Sequence, residues 1–373
     1  MSIINSDYEI MIVGGGPAGI STWLHLHKYA PELAEKTLLI EKEQYPREKI
    51  CGGGVQKWMT KKIFDNLQID FKIPNISMDS LCICYGKEKY HYKEKDFFNI
   101  VRRIEFDYYL SLVSKKRGLN LHENEFFIDM QYRQSGLVVK TNKSQYQIKV
   151  LIGADGALSS VRQKMKSSVK LYLSPTLEIT TRVNNKFDLE YDTKNAILDY
   201  TPVTKGIQGY IWHFPFCIDG IPMMNHGIVD FHLLKNRRRS TLKKILMHDL
   251  KKRHIPCNIE SFKSHPIPYR LEHKGLSNSN ILLVGDAAGI EPLLGGGIHL
   301  ALTYGSVAAS AIVDAFQNND FAFNDYEQRI EGHYLGKYLI KLIETARYIY
   351  VNPETIISSI VNIFDIKKGN NHL

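Results

Sequence analysis

The length, composition and charge of the chain place it among folded globular proteins. It has 373 residues, of which 44% are hydrophobic and 23% charged, and these fractions exclude a disordered, collagen-like or coiled-coil protein. At about 150 residues per domain, this length predicts two domains. The formal net charge of +9 leaves four explanations open, namely nucleic acid, an anionic membrane, a phosphorylated substrate, or solubility alone.

Targeting and metal-binding patterns are not recognised in the sequence. Asp7 and Glu9 precede only a short apolar run, so we expect no secretory signal. No stretch of about 18 uninterrupted apolar residues predicts a membrane span. The five scattered cysteines lack CxxC spacing, so they predict neither a disulfide framework nor a zinc site. These features predict a cytoplasmic protein without a bound metal.

The first predicted element is a βαβ unit with a glycine-rich turn. Residues 8–13 and 37–40 form strands around a helix over 17–29, and GxGxxG lies where the first strand meets the helix. Such glycines allow a tight turn, close approach of a pyrophosphate and close helix–strand packing, and an acid ending the second strand binds a ribose. The pattern predicts a dinucleotide site made of Gly14, Gly16, Pro17, Ala18, Gly19, Glu41 and Lys42. A glycine-rich turn without a nucleotide is the alternative.

The middle of the chain is predicted to be rich in β-structure. A hairpin is expected over 81–92, a helix over 106–114, and strands over 136–140 and 145–152. Alternating patterns then predict strands over 177–183, 196–200, 208–217 and 222–231, followed by a basic amphipathic helix over 241–252. A buried strand over 281–284 and a helix from residue 298 return to an α/β pattern, and the chain is helical from about 325.

A second glycine-rich segment favours FAD over NAD. Asp286 ends the strand before it, where a carboxylate can bind a ribitol hydroxyl. The amides that open the next helix can stabilise the negative charge that a reduced flavin gathers near N1 and O2. NAD needs no such distant second half, whereas an extended FAD does. The predicted residues of this half are Gly285, Asp286, Gly295, Gly296, Gly297 and Ile298.

The order of these elements predicts an α/β fold, α+β overall, with a discontinuous nucleotide domain. Residues 1–75, 96–170 and 268–324 are expected to form a Rossmann-like FAD-binding domain. Residues 76–95 and 171–267 are expected to form an antiparallel β-sheet substrate domain, and 325–373 a C-terminal helical segment.

Three separated motifs resemble FAD-dependent oxidoreductases with the para-hydroxybenzoate hydroxylase-like fold. They are GGGPAG at 14–19, IGADGALSSVR at 152–162 and GDAAG at 285–289. The resemblance implies that Asp155, Gly156 and Arg162 lie near the flavin. It also implies that Arg102 or Arg103 contacts the cofactor.

Two further segments resemble the geranylgeranyl reductase family, which saturates isoprenoid double bonds. They are KICGGGV at 49–55 and YIWHFP at 210–215, supported by similar stretches at 103–107 and 292–301. The resemblance implies catalytic roles for Cys51, Tyr210 and Trp212, with Cys51, Gly52 and Gly53 also against the flavin. It implies an apolar substrate pocket formed by Tyr210, Trp212, Phe214, Pro292 and Leu293. Phe216 stands where many relatives carry a basic residue, which leaves the substrate head group open.

The proton donor and the electron donor are left open by the sequence. Candidate proton donors are Cys51, Tyr210, His213 and an ordered water, although His213 would face away from Tyr210 on a regular strand. The sequence contains no second GxGxxG motif that would predict a dedicated NAD(P)H domain. Transiently bound NAD(P)H and a ferredoxin-like protein therefore both remain candidate electron donors.

Other functions are also considered. A flavin monooxygenase or halogenase on the same fold is the alternative, but Tyr210 and Phe214 replace the first Trp and the Ile of the WxWxIP segment of halogenases. A non-catalytic FAD- or lipid-binding module is a third. The basic stretch 235–239 and the lysines after it are compatible with a prenyl diphosphate, with peripheral contact at the inner membrane surface, or with a solvated helix face, which we favour. Nucleic acid is not expected, because no recognition fold accompanies the charge.

Overall fold

A computed structural model describes residues 4–165, 168–184, 186, 188–234, 241–272 and 274–369. The predicted basic stretch 235–239 lies outside the described residues. Within these residues the strands are, in chain order, β1 Ile4–Asn5, β2 Ile10–Val13, β3 Thr37–Glu41, β4 Gly54–Gln56, β5 Asn75–Tyr85, β6 Glu88–Val101, β7 Asn120–Glu123, β8 Phe127–Arg133, β9 Gly136–Thr141, β10 Gln145–Ile148, β11 Val150–Gly153, β12 Tyr172–Ser174, β13 Thr176–Arg182, β14 Asn195–Asp199, β15 Ile211–Ile218, β16 Ile221–Val229, β17 Ile267–Tyr269, β18 Ser277–Asn278 and β19 Ile281–Leu283.

The α-helices alternate with these strands at both ends of the chain. They are α1 Pro17–Tyr29, α2 Pro31–Glu35, α3 Lys57–Asn66, α4 Arg103–Lys116, α5 Ser160–Lys164, α6 Leu189–Asp192, α7 Leu242–Lys252, α8 Gly297–Asn318, α9 Tyr326–Gly332, α10 Tyr334–Val351 and α11 Ile356–Gly369. Short 3₁₀ turns lie at Thr201–Lys205, Ile259–Ser261, Gly285–Ala287 and Pro353–Thr355.

A six-stranded sheet carries the glycine-rich turns. Its order is β18-β19-β11-β2-β3-β7, parallel except for the edge strand β18. All residues of β2, β3 and β11 are buried, as expected for parallel strands covered on both faces. Helix α1 packs closely on α8, because a Cβ on Gly305 would lie 2.5 Å from the backbone N of Thr22. The Ser21 hydroxyl also donates to the Leu302 carbonyl at 2.6 Å, across this helix pair.

A seven-stranded sheet lies beside it, in the order β13-β16-β15-β14-β5-β6-β4. Its pairs are antiparallel except for β14 with β5, which run parallel. The sheet extends past the predicted segment 76–95, since it includes β4 and continues to Val101. The boundaries of the two domains remain a prediction.

Helices cover both faces of the seven-stranded sheet. On one face α7 places Ile245, Leu246 and Leu250 against Ile211 and Ile228, as the amphipathic pattern predicts. On the other face, α11 packs on β5 and β6, where the Phe364 ring contacts the rings of Tyr92 and Phe97. The two sheets and these helices leave a cavity between them.

One predicted strand is divided into two in the structure. Residues 145–152 form two strands, because the Lys149 N–H donates to the Glu9 carbonyl and β10 and β11 join different sheets. Among the described helices, α8 alone is long and apolar enough to cross a membrane. Since 78% of its most apolar window is buried in the protein, this is weak evidence for a span.

Candidate functional site

A cavity of about 1030 Å³ lies between the carboxyl ends of β2, β3 and β11 and one face of the seven-stranded sheet. The carboxyl ends of parallel strands are the usual place for a ligand in an α/β sheet. The volume is at the upper end of the range for small-molecule sites. One half of the lining is polar and comes from loops after the parallel strands. The other half is apolar and includes Leu81, Phe97, Phe98, Leu198, Phe214 and Phe364.

The GxGxxG turn lies at the polar end of the cavity. Gly14 has a φ of +106°, and a Cβ there would lie 2.4 Å from the Ala154 carbonyl oxygen, so only glycine fits. Gly16 is the N-cap of α1, and the free N–H groups of this helix end face the cavity. Gly14, Gly16, Pro17 and Ala18 line the cavity. Gly19 does not; a Cβ there would lie 2.1 Å from the Gly14 carbonyl oxygen, which makes Gly19 a helix–strand packing position.

The acid after β3 lies at the same end. Glu41 is buried, lines the cavity together with Lys42, and accepts a hydrogen bond from the Gly15 N–H at 2.9 Å. Arg47, which the sequence analysis did not select, lies 3.2 Å from the Glu41 carboxylate and 3.1 Å from that of Asp107. The predicted ribose-binding carboxylate is therefore part of a charged cluster.

Arg102 and Arg103, the two alternative cofactor contacts, differ in position. Arg103 lines the cavity, and its guanidinium donates two hydrogen bonds to the fully buried Asp107, at 2.7 and 2.8 Å. Arg102 does not line the cavity and pairs with Glu105 at 2.7 Å. The structure therefore assigns the cavity position to Arg103.

The middle motif holds two loops together. Asp155 and Gly156 line the cavity; one Asp155 oxygen accepts from the N–H groups of Ser160 and Val161, at 2.7 and 3.1 Å. Its other oxygen is buried and has no hydrogen-bond partner among the described residues. Arg162 does not line the cavity. Its guanidinium donates to the carbonyl oxygens of Ala157 and Ala287, which connects this motif to GDAAG.

The second glycine-rich loop opens α8 at the cavity. Asp286, Gly295, Gly296, Gly297 and Ile298 line the cavity, and a Cβ on Gly297 would lie 3.3 Å from an Asp286 carboxylate oxygen. Gly285 is buried beside Ala18 and does not line it.

The expected substrate-pocket positions Pro292 and Leu293 do not line the cavity. The buried Glu291 carboxylate accepts hydrogen bonds from the N–H groups of Leu293, Leu294 and Gly296. In this arrangement the Leu293 side chain is fully buried in the apolar core, and Leu294 lines the cavity instead.

The CGGG loop contacts the aromatic strand β15. Gly53 has a φ of +80°, and a Cβ there would lie 2.1 Å from the Val101 carbonyl oxygen. A Cβ on Gly52 would lie 3.1 Å from Trp212 Nε1 and 3.4 Å from Phe214 Cδ2. Cys51 is exposed to the cavity, and desolvation by the surrounding protein raises the pKa of its thiol.

Trp212 and Phe214 share one face of β15, Tyr210 directly precedes the strand, and all three residues line the cavity, as the alternation predicts. The Tyr210 hydroxyl donates to the Leu294 carbonyl, and Trp212 Nε1 donates to Asn225 Oδ1 at 2.5 Å. Burial raises the pKa of Tyr210. His213 lies on the opposite face, fully buried and 2.7 Å from the ring nitrogen of His226.

Besides Arg47, several ionisable residues that line the cavity were not selected from the sequence, among them Lys49, His265 and Glu178. Lys49 contacts His265; desolvation lowers the pKa of both, that of His265 to about 4. Glu178 on β13 is 8% exposed, and desolvation raises its pKa to about 7. His265 and Glu178 belong to no motif, and Lys49 begins the KICGGGV segment without a role implied by the resemblance, so only the tertiary fold brings the three residues to one site.

The arrangement fits an extended flavin dinucleotide. Two helix N-termini, at Gly16 and Gly296, face one cavity and suit phosphate and flavin charge. The unpartnered Asp155 oxygen can accept a ligand hydrogen bond. The residues able to hold such a group are Gly14, Gly16, Pro17, Ala18, Glu41, Lys42, Cys51, Gly52, Gly53, Arg103, Asp155, Gly156, Asp286, Gly295, Gly296, Gly297 and Ile298.

Comparison with known proteins identifies relatives along nearly the whole chain. No family model matches it. Digeranylgeranylglycerophospholipid reductase 2 of Methanosphaera stadtmanae is 23% identical over 407 residues, covering 95% of this chain and 96% of that protein. A geranylgeranyl bacteriochlorophyll reductase-like protein of Thermoplasma acidophilum has a similar structure, with a TM-score of 0.74 and 21% identity over 95% of this chain and 88% of that chain.

The same fold is found in flavin-dependent halogenases. The halogenase PltM, solved in complex with FAD, has a TM-score of 0.70 and 13% identity over 94% of this chain and 77% of that chain. At such identity the likeness establishes a common fold and leaves the substrate undecided.

Proposed function

Because the chain belongs to the geranylgeranyl reductase family of FAD-dependent oxidoreductases, we propose that it saturates carbon–carbon double bonds of an apolar isoprenoid lipid. The cofactor is FAD, and the reaction is a reduction. The proposal concerns the substrate and the way in which the residues of this chain promote the reaction.

The contact between the CGGG loop and the aromatic face of β15 carries this proposal. Gly52 lies against Trp212 and Phe214, so the polar half of the cavity continues directly into the apolar half. An isoprenoid chain has no polar groups to recognise, and a wall of aromatic and aliphatic side chains is the surface that binds it. The second half of the cavity thus suits a lipid chain better than a charged substrate.

Different residues of the chain bind the cofactor, align the substrate and exclude water. Reduced FAD, when bound, supplies the hydride. Gly14, Gly16 and the N-terminus of α8 hold the cofactor through backbone groups, and Asp155 and Asp286 orient it. Tyr210, Trp212 and Phe214 align the double bond and exclude water, while Cys51 lies at the boundary between the two halves.

The proposal also includes the electron donor and the location of the reaction. We expect electrons from NAD(P)H or a ferredoxin-like protein, and a cytoplasmic location with the lipid substrate reached at a membrane surface. The exposed lysines of α7, at 243, 244, 251 and 252, are the described part of the basic region and suit an anionic surface.

An anaerobic product assay tests the proposed function. The purified protein is expected to be yellow, and its reduced form should convert a geranylgeranyl lipid to products heavier by steps of about two mass units, one step per saturated bond. A control without lipid should keep the flavin reduced. Oxygen insertion into the substrate on admission of air, without anaerobic saturation, would contradict the proposal and identify a monooxygenase.

A halogenase is a second candidate because Lys49 lines the cavity and the fold is shared with PltM. Supplying chloride, oxygen and an electron-rich aromatic compound to the reduced protein tests it. We expect no halogenated product, and its appearance would favour this candidate over the reductase.

A further inference from the structure

We propose that Glu178 is the acid that protonates the double bond during the reduction. This inference rests on the proposed function and deepens it, because the donor of the proton is open among the residues chosen from the sequence. It follows from the position of Glu178 in the sheet, from its surroundings and from the chemistry of the alternatives.

Strand pairing brings Glu178 to the reactive face of the seven-stranded sheet. In the antiparallel register, Gly227 on β16 pairs with Glu178 on β13 and also with Trp212 on β15. Directly opposite residues in a sheet share a face. Glu178 and Trp212 therefore flank Gly227 in one row, and both line the cavity.

The absence of a side chain at Gly227 connects the two residues. A Cβ on Gly227 would lie 2.0 Å from Trp212 Cζ2, so the indole lies directly over this position on the row toward Glu178. Asn225 lies near both residues, because it accepts a hydrogen bond from Trp212 Nε1 and its side chain lowers the pKa of the Glu178 carboxyl group. The carboxyl group is thus held at the edge of the aromatic wall.

The loop side of the cavity places the reacting region beside this carboxyl group. The Cys51 backbone N–H lies near enough to lower the pKa of the Glu178 carboxyl group, and Gly52 contacts Trp212. The CGGG loop, the aromatic wall and Glu178 therefore meet at one point. This is the boundary between the polar and apolar halves, where an alkene has to meet the cofactor.

The surroundings raise the pKa of Glu178 so that a substantial fraction of the carboxyl group carries a proton near neutral pH. Burial raises the pKa of its carboxyl group to about 7, against the opposing effects of Asn225, the Cys51 N–H and the charge of Lys263. A general acid is most effective when its pKa is near the working pH. The other candidates are weaker acids, because burial raises the pKa of both Cys51 and Tyr210, and the Tyr210 hydroxyl already donates to Leu294.

The proposed step is balanced in atoms and electrons. One alkene carbon receives hydride from reduced FAD, and the other receives the carboxyl proton as the O–H bond of Glu178 breaks. The alkene is reduced by two electrons and FAD is oxidised by two. Glu178 is left as a carboxylate, and a proton from solvent restores it before the next turnover.

An infrared titration tests the protonation of Glu178 without any turnover. The FAD-loaded protein should show the carbonyl stretch of a protonated carboxyl group at pH 6, and this band should disappear as the pH rises through about 7. It should be absent from Glu178→Gln and present in Glu190→Gln, which removes a buried carboxyl group on the opposite side of the sheet, bound to Arg253. A spectrum unchanged by Glu178→Gln would overturn the inference.

Anaerobic single-turnover kinetics test the proton transfer itself. Glu178→Gln should bind FAD and accept electrons from dithionite as the wild type does, yet reoxidise with a geranylgeranyl lipid at least about 100-fold more slowly. The wild-type rate should fall above pH 7, where the carboxyl group has lost its proton, and Glu178→Asp should recover part of it.

The outcomes separate this inference from the function on which it rests. A wild type that saturates the lipid together with an equally fast Glu178→Gln variant would refute the role of Glu178 and leave the reductase intact. A wild type that saturates no isoprenoid would refute both. Circular dichroism and FAD content of each variant identify a folding defect.

Discussion

The orientation of Trp212 depends on two neighbours that have no apparent role in chemistry. Asn225 accepts the indole N–H at 2.5 Å, and Gly227 leaves the space over which the ring lies. Neither residue belongs to a motif that identifies the site in the sequence. Their contribution is visible only from the register of β15 and β16.

Gly227→Ala should displace the indole. The new Cβ would lie 2.0 Å from Trp212 Cζ2, between backbone and ring, so the ring has to move. We expect unchanged FAD binding and a rate of lipid reduction at least about 10-fold lower, since misplacing a reacting group by an ångström has effects of this size or larger. Stopped-flow absorbance of the flavin measures both.

Gly332→Ala is the matched control for this change. Gly332 lies in α9, and nothing lies within 4 Å of the position of its Cβ. The control should have the wild-type rate. Equal rates in Gly227→Ala and Gly332→Ala would show that the position of Trp212 does not matter.

At the scale of elements, local patterns predicted the helices and strands whose pattern is uninterrupted. Helix α1 spans the expected residues 17–29, and the turn at Asp219 and Gly220, both with positive φ, joins β15 and β16 between the strands predicted over 208–217 and 222–231. The prediction of a single strand over 145–152 was wrong, because a hydrogen bond from the Lys149 N–H to Glu9, far away in sequence, divides it. A local sequence pattern cannot predict such a tertiary hydrogen bond.

The CGGG loop provides a test at this scale. Gly53→Ala combines a φ of +80° with a Cβ 2.1 Å from the Val101 carbonyl oxygen, so the loop has to shift. We expect FAD affinity to fall at least about 10-fold and the free energy of unfolding to decrease by roughly 1–3 kcal/mol. Fluorescence titration with FAD and thermal unfolding measure the two effects.

The adjacent glycine is the natural comparison. In Gly54→Ala the new Cβ would lie 3.5 Å from Phe214, an ordinary van der Waals contact, without a positive φ. This variant should retain FAD affinity close to that of the wild type. Parallel losses in both variants would argue against a specific conformation at Gly53.

On the scale of the whole molecule, more of the residues predicted for the cofactor than of those predicted for the substrate line the cavity. The glycines and acids at strand ends have positions fixed by local structure, and most of them line the cavity. Pro292 and Leu293 do not line the cavity, because hydrogen bonds that the backbone N–H groups of this loop donate to Glu291 decide which side chain faces inward. Glu178 was missed because its neighbours on the sheet are 34 and 49 residues away in sequence, at Trp212 and Gly227.

Removal of FAD should lower the stability of the whole chain. The cavity is lined by both large sheets, so a cofactor bound only to the folded state stabilises both together. At about 100 times the Kd, FAD should contribute roughly 2.7 kcal/mol, measurable as a rise in Tm. ADP at the same concentration, which reproduces only the part held by the GxGxxG turn and should bind more weakly, should give a smaller rise. Equal effects would show that the loop at Gly295 takes no part in binding.

The close crossing of α1 and α8 has a consequence for how the cofactor is received. The two helices begin at opposite halves of the site and are locked together where Gly305 meets Thr22 and where Ser21 bonds Leu302. The distance between the two anion-attracting helix ends is therefore set when the protein folds, before any ligand arrives. Binding then requires little ordering of the protein, which favours high affinity for a ligand of matching length. The α1–α8 pair thus selects the length of the ligand that can reach both helix ends.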